Sequence, residues 1–372
     1  MNNKLHGIVF AYQNDAALQE LTQHRHTSSI PFGGRYRLVD FVLSNLVNAG
    51  VSDVGLIVHT SYQSLLDHVG SGKDYDLSRK RGGLKILPPF SYASRPGSPE
   101  YAGHMDALAG VRSYLERVRQ DFVVLAGSDL VANLPLGDML EAHLKSGADI
   151  TALCAPQPSG RSREATYLTV SGNGLVTDVA FHPQEAGGCE SLEVYILSKK
   201  LLLELVNDCA AHGVQTFGKG VLQAKAGELR IAPFFFEGYF ARIQSVQDYF
   251  VRSRELLDMD VRRDLFQPLR PIRTKDFSTP STYYGPNSAT DGCLIADGCI
   301  IEGSVENCIL FRDVIVKKGA VVRDCVLMQG TEIGENASVS YMVADKNVKI
   351  SAGCTLTGHE NYPIAIGKYE VV

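Results

Sequence analysis

Short apolar runs separated by amphipathic stretches mark the first 250 or so residues. GIVFA (7–11), VGLIV (54–58), DFVVLAG (121–127) and DITALC (149–154) are rich in Val, Ile and Leu. Each is too short for a whole helix, so the runs predict buried strands. Between them, YRLVDFVLSNLVNAG (36–50) and HMDALAGVRSYLERV (104–118) carry helical periodicity. Strands spaced by helices predict an α/β, Rossmann-like domain with a mostly parallel sheet and helices on both faces. Ligands of such sheets sit beyond the carboxyl ends of the strands. The tails of FVVLAGSDL and GIVFAYQND are therefore expected to border any site.

From about residue 256 the texture changes. The stretch RRDLFQPLRPIRTKDFSTPSTYYGPNS (262–288) is proline-rich, charged and irregular, and reads as a linker. A repeat follows. Val316, Ile333 and Ile350 stand seventeen residues apart, as do Val322, Val339 and Leu356, and Leu310, Leu327 and Ala344. The step between columns is six, as from Val316 to Val322. One inward aliphatic residue per hexad, with Gly, Asn or Asp at the corners, predicts a left-handed parallel β-helix of triangular coils. Three hexads make eighteen, so seventeen implies one corner shortened in each coil. About four coils are expected over residues 289–358, with Cys308 and Cys325 stacked on neighbouring coils. Phe311 reads equally as a partner-facing group or as coil-end packing. The expected division is an α/β domain over 1–255, a linker over 256–288 and the β-helix over 289–372.

A chain of 372 residues is long for one core, which agrees with two domains. The formal charge of −5, without a basic arm or stripe, predicts no nucleic-acid partner. No apolar run approaches the length that spans a bilayer, and the N-terminus reaches a strand without a signal-peptide pattern, so a cytoplasmic location and no membrane partner are expected. Eight cysteines without CxxC pairs read as structural thiols, and no zinc site is expected.

Longer phrases carry a resemblance. PFGGRYRLVDFVLSNLVNAG, LPPF, FFFEGYF and LIADGCIIEGSVENCILFRDVIVKKGAVV, with MQGTEIGE and VADKN, closely resemble bacterial glucose-1-phosphate adenylyltransferase, or ADP-glucose pyrophosphorylase, from about residue 7 to 351. The resemblance implies a tetrameric enzyme that joins ATP and glucose 1-phosphate into ADP-glucose and pyrophosphate for glycogen synthesis.

Set against that family, the chemical positions depart. Its glycine-rich phosphate loop aligns with Phe10–Thr22, where the glycines become Tyr12, Gln13 and Asp15, and the arginine becomes Ala17. Side chains there obstruct an anion nest of backbone N–H groups, and Asp15 adds a like charge beside phosphates. At an effective dielectric of ~20 and ~4 Å, that repulsion is ~4 kcal/mol. Thr27 stands for a lysine after a retained Arg25, and Ser128 for a metal-binding aspartate, with Asp129 one place on. His182 stands for the lysine that holds the sugar phosphate, and Arg242 for the second metal aspartate. Lys219 keeps its place in GKG, but Gly220 replaces the acid that would contact sugar.

Phosphoryl transfer relies on positioning and charge neutralisation, so losing these groups leaves little to catalyse with. The pattern resembles the GlgD type of subunit. It implies a catalytically poor member of a mixed tetramer with a catalytic GlgC-type partner, needing no cofactor of its own while Mg²⁺ serves that partner. Self-association and an anionic small-molecule effector at Arg35 and Arg37 are further expectations, against helix-start salt bridges for the same arginines. Arg25, Asp129 and Lys219 are the candidates for residual ligand contact; Asp129 reads first as a capping residue at the strand end. The rival reading is a slow adenylyltransferase that uses Asp129 and Arg25. A β-helix acyltransferase is a weaker third, since His359 is the only histidine after the linker.

Overall fold

The computed structural model describes residues 4–12, 15–59, 61–89, 101–156, 165–181 and 188–372. The N-terminal half is built on β1 (Leu5–Phe10), β2 (Asp53–Ile57), β3 (Gly83–Leu87), β4 (Phe122–Gly127), β5 (Ile150–Ala155), β6 (Cys189–Ser198) and β7 (Ile231–Phe235). They lie in the order β3-β2-β1-β4-β6-β5-β7, and only β6 runs antiparallel to its neighbours. A hairpin of Thr166–Val170 and Val176–Phe181 extends the amino-terminal end of β6. Successive side chains of β1 serve opposite faces: Leu5 and Val9 enter one core with helix Leu38–Asn48, Ile8 and Phe10 the other with helix Lys199–His212. The expected mostly parallel sheet with helices on both faces is what forms. Chain order reverses between β1 and β4, which places the crevice beyond Phe10 and Gly127.

The C-terminal half is a triangular parallel β-helix with five short strands on each of three faces. Val316, Ile333 and Ile350 align on one face, Val322, Val339 and Leu356 on the second, and Leu310, Leu327 and Ala344 on the third. Corners recur in the same phase: Asn307, Asp324 and Tyr341, then Asp313, Gly330 and Asn347, then Gly319, Asn336 and Gly353, all with positive φ. The left-handed region favours Gly, Asn and Asp, which explains those residue types at the bends. The short side of each coil is the step of five from Gly319 to Asp324.

Two details differ from the sequence reading. The stack begins at Tyr283–Tyr284, and the step from Ile300 to Ile315 is fifteen, so the first coils are out of phase with the repeat. At the far end, Met342 pairs with Ile364, because a loop closed by a His359–Tyr362 bridge lengthens the last coil. Cys308 and Cys325 do stack, the Cys325 N–H lying 3.3 Å from Cys308 Sγ, and Cys293 extends the column.

The β-helix packs directly on the α/β half. Phe250 and Tyr249 of helix Val246–Glu255 join Ile30, Phe32, Ile309, Val326 and Met328 in one buried cluster. Phe311 is 4% exposed within it, so it is seam packing and not a partner-facing group. Among the described residues two ion pairs cross the seam, Arg254 to Asp324 and Arg25 Nη2 to Asp345 Oδ1, each at 2.6 Å. The second is almost fully buried on both sides. Asp345→Leu strands the Arg25 charge and is expected to cost about 3–5 kcal/mol, whereas the double change Arg25→Met with Asp345→Leu recovers most of it. Urea unfolding followed by circular dichroism measures both.

Candidate functional site

At the sheet's crevice, Ser128 N–H donates to the Phe10 carbonyl at 3.2 Å and closes the tips of β1 and β4 together. Above them is a cavity of only about 40 Å³, walled by Phe10, His104, Glu193, Tyr195, Phe217 and Gly218 among others. Rings occupy the space: Phe10 lies 4.3 Å from His104 and Tyr195 4.9 Å from Phe217, centroid to centroid. Tyr12, where a phosphate loop would begin, joins His59 and Tyr101 at 5.5 and 5.8 Å. Burial pushes the hydroxyls of Tyr12 and Tyr101 upward, the latter to about 12. Both stay neutral, and an aromatic cluster fills this part of the crevice. Ala17 is exposed on the 3-10 stretch Asp15–Leu21, while Thr27 and Ser128 are buried. Gln13, His182 and the side chain of Asp15 lie outside the described residues.

The charged centre is Arg242. A two-stranded ribbon pairs Phe240–Arg242 with Leu130–Ala132, setting Arg242 opposite Leu130, and Ile243 N–H donates to the Asp129 carbonyl at 3.0 Å. This delivers Arg242 Nη1 to Asp129 Oδ2 at 2.9 Å and to Glu193 Oε2 at 3.2 Å, while Nη2 donates to the Leu192 carbonyl at 2.6 Å. Glu193 arrives through an irregularity in β6 between Ser191 and Tyr195, with φ at +55°. Burial opposes the guanidinium charge, but Glu193 and Asp129 together raise the Arg242 pKa above the ordinary arginine value. Burial also lifts the Asp129 pKa, against the pull of Arg242. The group at this point is a fixed cation, held by two carboxylates and a carbonyl.

That arrangement does not fit a divalent metal. Asp129 and Glu193 face each other, but the guanidinium stands between them. A divalent ion at ~4 Å would meet repulsion of ~8 kcal/mol at an effective dielectric of ~20. The pairing of Asp129 with Arg242 is also what turns its carboxylate away from a free position at the strand end. Glu193 was not visible as a site residue in the sequence, where it shares its strand with Glu190 and has no distinguishing local signal.

Lys219 lies in the π-helical turn Gly218–Gln223, its Nζ 5.4 Å from the centre of the Phe181 ring. A Cβ built on Gly220 would come 2.0 Å from Val214 Cγ1, so no acidic side chain fits there without displacement.

A second concave site lies in the seam. Arg35, Arg37, Arg312 and Lys346 line it with His68 and Gln329, and no carboxylate is in the lining. Arg312, Gln329 and Lys346 are seventeen apart and stack on consecutive coils. Arg37 Nη1 donates to the Ser64 carbonyl at 2.6 Å, and its backbone N–H to Asp40 Oδ2 at 2.9 Å. The same Asp40 takes His68 Nε2 at 2.6 Å, and His68 Nδ1 is buried without a partner among the described residues, as is Arg312 Nε. The Arg312 guanidinium stacks 4.5 Å from the Phe277 ring. Burial, then Arg37 and Arg25, depress the Lys346 pKa to about 7, and burial takes Arg37 down to about 10. Desolvated, mutually repelling cations with open donors thus surround a small pocket of about 30 Å³, a chemistry that suits an anion. Arg25 lies beside it but is committed to Asp345. Arg35 and Arg37 were legible from sequence; Arg312, Gln329, Lys346 and His68 were not, although the seventeen-residue column was a usable signal.

Residues 16–249 match the nucleotidyl transferase family, and 282–361 match the GlmU-like C-terminal hexapeptide family. The chain is 34% identical over 371 residues to the glycogen biosynthesis protein GlgD of Bacillus subtilis, covering 99% of this chain and 96% of that one. It is 37% identical over 327 residues to GlgD of Geobacillus stearothermophilus, covering 87% and 84%. With the glucose-1-phosphate adenylyltransferase of Geobacillus stearothermophilus, identity is 31% over 330 residues, again 87% and 84%. A nucleotidyltransferase domain joined to a left-handed hexapeptide β-helix, with this likeness along nearly its whole length, places the chain in the GlgD/glucose-1-phosphate adenylyltransferase family, on the GlgD side.

Proposed function

We propose that this chain is a regulatory, catalytically poor subunit of an ADP-glucose pyrophosphorylase in glycogen biosynthesis, working in a mixed tetramer with a catalytic GlgC-type partner. The observation that carries the reading is the Arg242 guanidinium bonded to Asp129 and Glu193 at the tips of the strands. It takes up the carboxylates that a metal-dependent transferase would need free, and the aromatic cluster around Tyr12 takes up space for phosphates. The chain requires no cofactor, and Mg²⁺ acts in the partner.

The anion site of Arg35, Arg37, Arg312 and Lys346 supports an effector role: a phosphorylated small molecule there neutralises cations from both halves and draws the seam together. The rival reading, a slow adenylyltransferase, rests on the 31% identity to an adenylyltransferase and on carboxylates near the crevice. Its proposed tools are already engaged, Asp129 by Arg242 and Arg25 by Asp345.

Pyrophosphate release separates the two. The purified chain with ATP, glucose 1-phosphate and Mg²⁺ is expected to stay at background, and adding it to the catalytic partner is expected to change that partner's rate or effector response. Robust turnover by the chain alone overturns the proposal. Arg242→Asp by itself restores little, because the lost groups act together.

The seam pocket makes a prediction with a definite sign. Lys346 is charged below about pH 7 and loses its charge above it. Sulfate, whose own charge is constant over this range, therefore binds the pocket more tightly at pH 6 than at pH 8, by up to about tenfold if the Lys346 charge is required. Lys346→Met is expected to flatten that dependence. Calorimetric titration at the two pH values tests both statements.

A further inference from the structure

At the opposite end of the sheet, the amino ends of β2, β3 and β4 open into a cleft of about 410 Å³. Its walls carry Lys80, Arg81, Lys85, Arg117 and Arg119 around the single carboxylate of Asp53. Asp53 lies 4.0 Å from Lys85, and no ion pair reaches Lys80, Arg81, Arg117 or Arg119 among the described residues. Five cations less one carboxylate leave four uncompensated positive charges in one concavity, on a chain whose formal charge is −5. Screened surface charges of one sign repel, and among the described residues only Lys85 of the five has an ion-pair or ring partner.

Both walls are held in place by hydrogen bonds to backbone carbonyls. Gly83 N–H donates to the Ser52 carbonyl at 2.8 Å, and Gly82 and Gly83 both have φ of +81°. A Cβ on Gly83 would stand 2.4 Å from the Leu77 carbonyl oxygen, so the turn after Arg81 admits only glycine there. On the other wall, Lys199 Nζ donates to the Val118 carbonyl at 2.8 Å and anchors the strip from Arg117 to Arg119. The positive field reaches inward: Lys85 lies 5.3 Å from the Tyr114 ring, and Tyr114 Oη lies 3.2 Å from His6 Nε2. Burial, then Lys85, push the His6 pKa down to about 3, so the floor adds no charge of its own.

We propose that this cleft is an anion-binding site for a small compound carrying clustered phosphates, separate from both the crevice and the seam pocket. Arginine forks and lysine ammonium groups supply only donors, which suits phosphate oxygens. The size of the cleft matches that of small-ligand pockets, and its two strips line one concavity instead of tracking along a face as a nucleic-acid stripe does. The inference stands independently of the regulatory role proposed above.

Tripolyphosphate is the probe. The full chain carrying Arg37→Ala and Lys346→Met, which silence the seam pocket, is titrated by calorimetry at low ionic strength. One tripolyphosphate per chain is expected to remain, with affinity that falls as salt is added. Adding Lys80→Ala, Arg81→Ala and Arg119→Ala is expected to weaken that binding by at least about tenfold, since charge-assisted hydrogen bonds are removed. Unchanged affinity in the second variant overturns the proposal, as does tighter binding of a single-stranded oligonucleotide than of tripolyphosphate at the same residues. Should the triple alanine variant not fold, Lys80→Gln with Arg119→Gln is read by the same criteria.

Discussion

A guanidinium keeps its charge at every accessible pH, and at the tips of β1 and β4 that permanence governs the crevice. Arg242 meets Asp129, Glu193 and a backbone carbonyl with three of its donors. Asp129 is only 1% exposed, and a carboxylate so far from water demands a compensating charge. A metal ion is one solution to that demand and an arginine is another. The two are mutually exclusive in the same space. Once the arginine is present, the neighbouring positions lose their reason to be small or cationic. Tyr12 can then stack where a glycine would be required, and Gly220 can press against Val214 where an acid would stand. The departures along the chain are thus compatible with one exchange of charge carrier.

The seam follows a different rule. The β-helix repeats every seventeen residues, so any outward position becomes a column. Phe311, Met328 and Asp345 form one such column, and Arg312, Gln329 and Lys346 the next. The first column packs on the α/β half, with Asp345 answering Arg25; the second faces Arg35 and Arg37 across a pocket whose own lining holds no carboxylate. One column therefore fastens the two halves, while its neighbour leaves repulsion between them that a bound anion removes. Burial first, and then the repulsion of Arg37 and Arg25, bring the Lys346 pKa to about 7.

How much of this could be read in advance depends on how local each signal is. The β-helix was legible because its inward aliphatics and its Gly, Asn and Asp corners recur in phase, and the sheet because each strand is a short apolar run. The first coils escape the sequence pattern because the fifteen-residue step from Ile300 to Ile315 breaks the phase, although Tyr283 to Ile300 is again seventeen. Within the crevice, Ser128, Asp129 and Arg242 stood out as departures, but their pairing did not. Asp129 and Arg242 are 113 residues apart, and only the ribbon of Leu130–Ala132 with Phe240–Arg242 joins them. Arg25 shows the same limit: as a retained cation it suggested a ligand, whereas its partner Asp345 comes from the other half of the chain. Phe311 looked exposed for the same reason, because a β-helix considered alone has no seam.

The segment between β1 and helix Leu38–Asn48 ties these features together. It begins at the crevice with Tyr12, passes the buried Arg25 at the seam and reaches Arg35 and Arg37 in the anion pocket. Leu18, Leu21, Ile30 and Phe32 of the same segment are fully or almost fully buried in the seam cluster, so it moves with the β-helix or not at all. An anion that relieves repulsion among Arg37, Arg312 and Lys346 therefore acts on a stretch that is covalently continuous with the crevice. On the proposed reading, with Arg242 occupying the crevice, the effect of that link would pass to a partner subunit through shared surfaces, which is the physical content of a regulatory role.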